Sequence, residues 1–144
     1  MVSYVVDASV VVQYAIAQVY TPEARVLVAR MYQREQLYIP EFCLLECVNV
    51  LWKEVRFQGL PQAQAEQMAD ELLALSFQIM PIRHLLASAL QIGLSSQLAL
   101  YDSLYIALAL NLNCPLITVD DRQAKGAIAS GVTLKPITDF SPTK

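Results

Sequence analysis

The chain has one histidine and three cysteines among its 144 residues, and this scarcity removes several kinds of active site. A Ser-His-Asp triad or a histidine-based metal site is hard to build around a single histidine. Cys43 and Cys47 lie four residues apart in helical sequence and Cys114 stands alone, which fits neither a disulfide framework nor a zinc site. We expect three small buried thiols, and chemistry that rests on carboxylates.

Long uncharged apolar runs are also missing. No stretch reaches the roughly 18 residues that a membrane-spanning helix needs, and the start, MVSYVVD, lacks the basic segment of a signal peptide. We therefore expect a cytoplasmic protein with no membrane span. Hydrophobic residues still make up 56% of the chain and the mean hydropathy is +0.41. Such values favour apolar surface shared with a partner, by default a second copy in a homodimer or a bound partner chain.

Charged residues make up only 16% of the chain, and one long segment is almost free of them. Between Arg83 and Asp120, Asp102 alone carries a formal charge at pH 7, inside the apolar run LALYDSLYIALAL at 98–110. Burying an unpaired carboxylate there would be costly. Either Asp102 caps a helix or a cation compensates its charge, and the residues leave both interpretations open.

Short apolar strands alternate with helical patterns along the whole chain. Strands are predicted at 3–7, 37–41, 77–81, 115–120 and 132–137, and helices at 21–35, 42–57, 60–76, 84–97, 101–112 and 121–130. Helix-compatible sequence also follows the first strand. This alternation predicts an α/β fold with a largely parallel sheet. We expect a single domain over residues 1–140 and a frayed tail at 141–144.

Two predicted strands end in aspartate, Asp7 and Asp120. In open parallel sheets, ligands bind beyond the carboxyl ends of the strands, where the strand order reverses. Asp102, in the first turn of its helix, and Glu46, in the second turn of its own, could join the same pocket. Several carboxylates without histidine form an oxygen-only site for a hard cation such as Mg²⁺ or Mn²⁺, which suits phosphate-ester chemistry.

Each acid also has a simpler interpretation. Asp7 and Asp120 are in position to cap the helices that follow their strands. Glu46 shares the polar side of its helix with Lys53, as a solvated surface glutamate would. Only the combination of four acids, two of them in nearly uncharged sequence, favours a shared cation.

Four segments resemble motifs of the PIN-domain family, and within it the VapC-like toxins of bacterial type II toxin-antitoxin pairs. They are VVDASVV (5–11), LLECVNVLWK (44–53), LYDSLYIALA (100–109) and LITVDDR (116–122). Their order and intervals match the family over nearly the whole chain. The resemblance implies a PIN-like α/β/α sandwich with a mostly parallel five-stranded sheet of order 3-2-1-4-5. It also implies Mg²⁺- or Mn²⁺-dependent endoribonuclease activity that leaves a 5′-phosphate.

The resemblance also assigns the site residue by residue. The catalytic and metal-binding acids would be Asp7, Glu46, Asp102 and Asp120. The supporting polar residues would be Ser9, Asn49 and Thr118. Asp121 departs from the usual pattern, because two adjacent acids leave open whether Asp120 alone or both face the metal.

RNA contacts follow less directly. The net charge is −3, and apart from the four proposed ligands the chain is nearly neutral. Four basic residues near the site in sequence could contact phosphates, namely Lys53, Arg56, Arg122 and Lys125. For each of them, solvated surface charge is an equally good interpretation. A toxin of this kind also implies a cognate antitoxin, which would lay an apolar helix along a groove and insert a basic side chain among the acids.

Two other functions remain open at this point. A PIN-like module could bind RNA or a protein without cutting, although the presence of all four acids argues against a degenerate site. A phosphoryl-transfer enzyme could use Asp7 as its nucleophile, but such hydrolases usually carry a second acid two residues later, where this chain has Ser9.

Overall fold

The computed structural model describes residues 2–142, in which strands and helices alternate as predicted. The strands are β1 (Ser3–Val6), β2 (Gln36–Pro40), β3 (Gln78–Met80) and β4 (Leu116–Ile117). The helices are α1 (Ala8–Ala15), α2 (Thr21–Arg30), α3 (Phe42–Gln58), α4 (Gln62–Leu73), α5 (Leu86–Ser96), α6 (Leu100–Leu112) and α7 (Asp121–Ala129). Short 3₁₀ turns occupy Arg83–Leu85 and Ile137–Phe140. The predicted α/β class is confirmed.

The four strands form one parallel sheet in the order β3-β2-β1-β4. β1 is central: Tyr4 pairs with Leu37 of β2, and Val6 pairs with Ile117 of β4. From β1 the chain adds β2 and then β3 on one side, and it later returns to add β4 on the other side of β1. The strand order therefore reverses between β1 and β4. Right-handed crossovers then put α1–α4 on one face and α5 and α6 on the other.

The prediction of a fifth strand at 132–137 is wrong in its extent. Only one residue pair, Leu116 with Leu134, forms a parallel bridge. Two hydrogen bonds accompany it, from Leu116 N to Thr133 O and from Lys135 N to Leu116 O. Directly after Pro136 the chain turns into a 3₁₀ helix at Ile137–Phe140, so the pairing with β4 goes no further. The fifth position of the predicted order is therefore a bridge.

Two glycines lie just past the ends of helices α3 and α7. Gly59 follows α3 with φ 77° and Gly131 follows α7 with φ 85°. A residue with a side chain is strained at these backbone angles, whereas glycine adopts them freely.

Of the helices that the structure describes, α6 is the most deeply buried, with every residue from 103 to 109 buried. It packs against β1, β2 and β4 on one side and against α5 and α7 on others. Burial on all sides explains why its sequence is apolar almost throughout rather than striped. The same packing fixes the position of Asp102, which lies in the first turn of α6.

Other expectations concern single features. Cys43 and Cys47 are buried free thiols, while Cys114 is half-buried. Within residues 2–142, no helix combines the length and apolarity needed to cross a membrane. In the predicted tail, the Ser141 amide still donates to the Thr138 carbonyl. Residues 143–144 of that tail lie outside the described residues.

Replacing a leucine of α6 by alanine should lower the free energy of unfolding more at a buried position than at an exposed one. Leu108 is fully buried and Leu110 is 42% exposed on the same helix. Leu108→Ala should cost about 2–5 kcal/mol of unfolding free energy, through lost burial and the cavity left behind. Leu110→Ala should cost less than half as much. Urea unfolding followed by circular dichroism measures both, and equal losses would contradict this account of α6.

Candidate functional site

Asp7 follows β1 directly and is buried, with 5% of its surface exposed. It is the N-cap of α1: its Oδ2 accepts from the Ser9 amide at 3.0 Å. The same oxygen accepts from the Thr118 hydroxyl at 3.3 Å, and Oδ1 accepts from Gln123 Nε2 at 3.2 Å. The capping interpretation is therefore correct for Asp7, yet the cap lies at the switch point of the sheet.

Hydroxyl groups hold the segment that follows β4 next to Asp7 and Ser9. Ser9 Oγ lies 3.4 Å from Thr118 Oγ1 and accepts from the Val119 amide at 3.2 Å. Thr118 Oγ1 also accepts from the Asp120 amide at 3.1 Å. These bonds join the ends of β1 and β4 through Ser9 and Thr118, the two hydroxyl residues to which the resemblance assigns a supporting role.

Asp120 is the N-cap of α7, with Oδ1 accepting from the Gln123 amide at 2.9 Å. Its side chain is exposed, and so is that of Asp121, the first residue of α7. Of the two adjacent acids, Asp120 is the one bonded at the helix start. Whether Asp121 also faces a metal stays a prediction.

Asp102 does not cap its helix. The N-cap of α6 is Ala99, and no side-chain cap bond is present there. Burial raises the pKa of the half-buried Asp102 carboxylate, the negative charges of Asp7 and Asp120 raise it further, and Arg122 lowers it. The structure thus removes the capping alternative for Asp102.

Glu46 is half-buried rather than solvated. Tyr105 of α6 donates from its hydroxyl to Glu46 Oε1 at 2.8 Å. Burial raises the pKa of Glu46, the Tyr105 bond lowers it, and the negative charges of Asp7 and Asp102 raise it further. The surface interpretation of Glu46 is therefore wrong, because α3 turns this residue toward α6 and the sheet edge.

The four predicted acids form one electrostatic group. Burial is the largest cause of the raised pKa of Asp7, which hydrogen bonds from Ser9, Gln123 and Ala8 partly offset. The negative charge of Asp7 in turn raises the pKa of both Asp102 and Glu46. Like charges that share a pocket disfavour each other's ionised form. These carboxylates are the groups that could hold a cation, all through oxygen.

The acids do not form a closed cage. Among residues 2–142, no group of three or more His, Cys, Asp or Glu side chains is arranged to hold one metal ion. Any ion at this pocket would have to be held by fewer direct carboxylate ligands, with other contacts running through water.

Two residues of the site escaped sequence reasoning. Tyr105 is fully buried in a helix that is apolar almost throughout, and nothing local marks its hydroxyl. Gln123 is also fully buried, on the face of α7 that carries Gly126 and Ala127. A polar residue three and four positions before two small buried residues is the signal that could have singled out Gln123.

The predicted RNA-binding residues fall beside two different clefts. Lys53 and Asn49 line a cleft of about 260 Å³ together with Glu46 and Ser9. Arg122 and Lys125 line another, of about 350 Å³, between α5 and α7.

Arg56 lies one turn beyond Lys53, with its guanidinium 5.4 Å from the Phe57 ring centroid. The structure gives Arg56 no contact with the acids.

A parallel sheet with acids at its switch point defines an α/β domain with an acidic pocket at the sheet edge. A family model described as the PIN domain matches residues 4–129. The chain belongs to the PIN-domain family.

Relatives in this family carry nuclease names. The chain is 31% identical over 125 residues to "Ribonuclease VapC3" of Pyrobaculum aerophilum, covering 84% of this chain and 92% of that protein. It is also similar to the crystal structure of PAE2754 from Pyrobaculum aerophilum, with TM-score 0.73 and 25% identity over 96% of this chain and 86% of that one. One chain of a "Toxin-antitoxin complex from Klebsiella pneumoniae" shares the fold, with TM-score 0.56 and 19% identity over 81% of this chain and 86% of that one.

Removing the charge of Asp102 should stabilise the metal-free protein at neutral pH. Its pKa is higher in the folded than in the unfolded chain, so the ionised group destabilises the fold above the folded pKa, and this effect vanishes below the unfolded one. Asp102→Asn should raise the melting temperature by about 1–4 °C at pH 7, and by nothing near pH 3. Calorimetry in EDTA at both pH values measures this.

Asp121→Asn is the matched control. Asp121 is an exposed acid in the first turn of α7, where the helix N-terminus stabilises negative charge. Its replacement should leave the melting temperature at pH 7 unchanged or lower it. An equal rise for both variants would point to general net charge instead of repulsion inside the pocket.

Proposed function

We propose that this chain is a divalent-metal-dependent endoribonuclease and the toxin of a toxin-antitoxin pair. The observation that carries the proposal is geometric: Gln123 bonds to Asp7, Asp102 and Asp120 at the switch point, and Glu46 is bonded to Tyr105 of α6. Family membership supports it, because a relative that matches most of this chain is named a ribonuclease.

The donor set fits Mg²⁺ or Mn²⁺. It consists of carboxylate oxygens, which hard cations prefer, and it includes partly exposed groups that leave room for substrate and water. Mg²⁺ is commonly bound through only one or two carboxylates while it keeps several waters. An open pocket without a three-ligand cage is compatible with that mode of binding.

Each residue has a distinct role in the proposal. Asp7 and Asp102 would be the inner ligands, because Asp7 is the most buried of the four acids and Gln123 joins it to the turn that carries Asp102. Asp120 and Glu46 would complete the pocket from α7 and α3. A bound cation would supply an acidified water as the nucleophile and would neutralise charge on the scissile phosphate.

The supporting residues keep these carboxylates ionised and oriented. The Ser9 amide and the Thr118 hydroxyl donate to Asp7, and the Tyr105 hydroxyl donates to Glu46. Hydrogen bonds to a carboxylate favour its charged form. A charged carboxylate is the state that can bind a cation.

The cleft between α5 and α7 is the better candidate for RNA contacts. Arg122 lies there close enough to Asp102 to lower the pKa of that acid, and Lys125 lines the same cleft with the side chains of Ser95 and Ser96. A phosphate next to the scissile one could reach these cations. Lys53, which lines the cleft beside Glu46, would contact the RNA on that side of the site.

We propose that the antitoxin binds in an apolar cleft of about 400 Å³ between α3 and α4, separate from the two clefts described above. Its apolar lining comprises Val48, Leu51, Trp52, Val55, Ala65 and Ala69. Trp52 is 56% exposed there. An amphipathic helix could bury this surface, and Glu46 on the same helix α3 would lie within reach of a basic residue.

We propose that two copies of the chain form a homodimer through the outer face of α5. Leu86, Leu90 and Leu94 recur every four residues on that helix and are 41%, 55% and 74% exposed. Residues at this spacing share one helix face. Covering such a stripe with a second copy would account for part of the high apolar content.

The decisive experiment is cleavage of a panel of labelled structured RNAs, tRNA included, with Mn²⁺ or with EDTA. Wild-type protein should cut with Mn²⁺ only. Asp7→Asn and Asp102→Asn should each lower the rate at least about 100-fold, because losing a direct ligand should exceed the 10–100-fold effect of losing an outer partner.

Asp70→Asn is the control, since Asp70 is an exposed acid on α4 away from the sheet edge, and it should cut like wild type. Equal cutting by all proteins would indicate a contaminating nuclease. If nothing is cut but Mn²⁺ binds in calorimetry and Asp7→Asn abolishes binding, the metal site stands with a narrower RNA target. Absence of both cutting and Mn²⁺ binding would favour a binding module without catalysis.

The contribution of the α5/α7 cleft can be tested by salt dependence. Arg122→Gln and Lys125→Gln should each raise KM for RNA and reduce the slope of log KM against log salt by about one, because each loses a phosphate contact. Arg34→Gln is the control, because Arg34 precedes β2 at the opposite end of the sheet. Unchanged slopes for both cleft variants would exclude this path.

A further inference from the structure

Among the described residues, Gln123 is the one that forms hydrogen bonds with three of the four acids proposed for the site. Its side-chain Nε2 donates to Asp7 Oδ1 at 3.2 Å and to the Asp102 carbonyl oxygen at 3.1 Å. Its backbone amide donates to Asp120 Oδ1 at 2.9 Å. These partners belong to the end of β1, the first turn of α6 and the start of α7.

The orientation of the Gln123 amide follows from its partners. Both groups facing Nε2 are acceptors, a carboxylate oxygen and a carbonyl oxygen. The flipped amide would turn Oε1 toward both and repel them, so the nitrogen must lie there. Both side-chain hydrogens are therefore used, one on Asp7 and one on the helix that carries Asp102.

The other end of the amide has no partner. Gln123 is fully buried, and its Oε1 is without a hydrogen-bond donor among residues 2–142. A buried acceptor left unpaired destabilises a fold. The polar group in use at this position is the amide nitrogen, which supplies a donor to both Asp7 and the first turn of α6.

We propose that Gln123 is a positioning residue of the acidic pocket and sets its affinity for a divalent cation. The inference rests on the proposed metal-dependent function. Gln123 holds the Asp7 carboxylate by Oδ1, leaving Oδ2 to Ser9 and Thr118. By holding the Asp102 carbonyl at the same time, it fixes the first turn of α6 relative to β1.

The geometry explains why this connection matters in an open pocket. With no three-ligand cage in the described residues, the separation of Asp7 and Asp102 is set by their supports and not by one another. Repulsion between the two charges acts to separate them. A donor shared between Asp7 and α6 opposes that movement in the metal-free state.

Gln123→Met tests the proposal on the full chain, because methionine keeps the length of the side chain and removes its donors. Mn²⁺ affinity from calorimetry should fall about 10–100-fold, as it does when outer-shell partners of metal ligands are removed. The melting temperature in EDTA should change by no more than a few degrees. Affinity within twofold of wild type would overturn the proposal.

Gln13→Met is the matched control for a buried glutamine. Gln13 is 4% exposed, and its bonds go to the Ser9 carbonyl and the Tyr20 amide, not to a carboxylate. This variant should lower the melting temperature and leave Mn²⁺ affinity within about twofold of wild type. A loss of affinity equal to that of Gln123→Met would overturn the specific role of Gln123.

A measurement on the unaltered protein covers the case in which Gln123→Met does not fold. In ¹⁵N-labelled wild type, adding Mg²⁺ should shift the side-chain NH₂ resonances of Gln123 and leave those of Gln13 in place. Unshifted Gln123 resonances would overturn the proposal.

The two proposals fail differently. If Asp7→Asn abolishes Mn²⁺ binding and Gln123→Met does not weaken it, the metal site stands and the role of Gln123 falls. If wild type binds no Mn²⁺, both fall together.

Discussion

The buried carboxylate of Asp7, at the carboxyl end of the central strand, is the constraint on which the surrounding structure depends. A charge in that position is tolerated only if hydrogen bonds replace the water it has lost. Three elements supply them: the Ser9 amide from α1, the Thr118 hydroxyl after β4, and the Gln123 side chain from α7. Satisfying one carboxylate thus ties together both strands of the switch point and the last helix.

Helix N-termini contribute to the same pocket. Asp7 caps α1, Asp120 caps α7, and Asp102 lies in the first turn of α6. The N-terminus of a helix carries partial positive charge, which stabilises nearby carboxylates. Three converging helix starts therefore offset part of the repulsion among the acids. Capping and ligand binding are compatible roles here, because an ionised carboxylate has about four lone-pair sites and a cap bond occupies one of them.

How much was predictable differs from element to element. The strands and helices followed from apolar runs and turn residues, and the site acids at strand ends followed from parallel-sheet topology. The fifth strand failed because the chain turns into a 3₁₀ helix at Ile137, two residues past the last ladder bond. Glu46 looked solvated beside Lys53, because its partner Tyr105 is 59 residues away and helical periodicity records only local neighbours.

From the sequence alone, the α/β class and the parallel sheet were determined and four acids were singled out as candidates, because strand and helix periodicity and the residues ending each element are local properties. Only the tertiary structure decided that Asp102 is no cap, that Glu46 is half-buried and that Gln123 joins three acidic residues. Those facts depend on contacts between elements far apart in the chain. No local pattern specifies such contacts, because packing the helices against the sheet sets them.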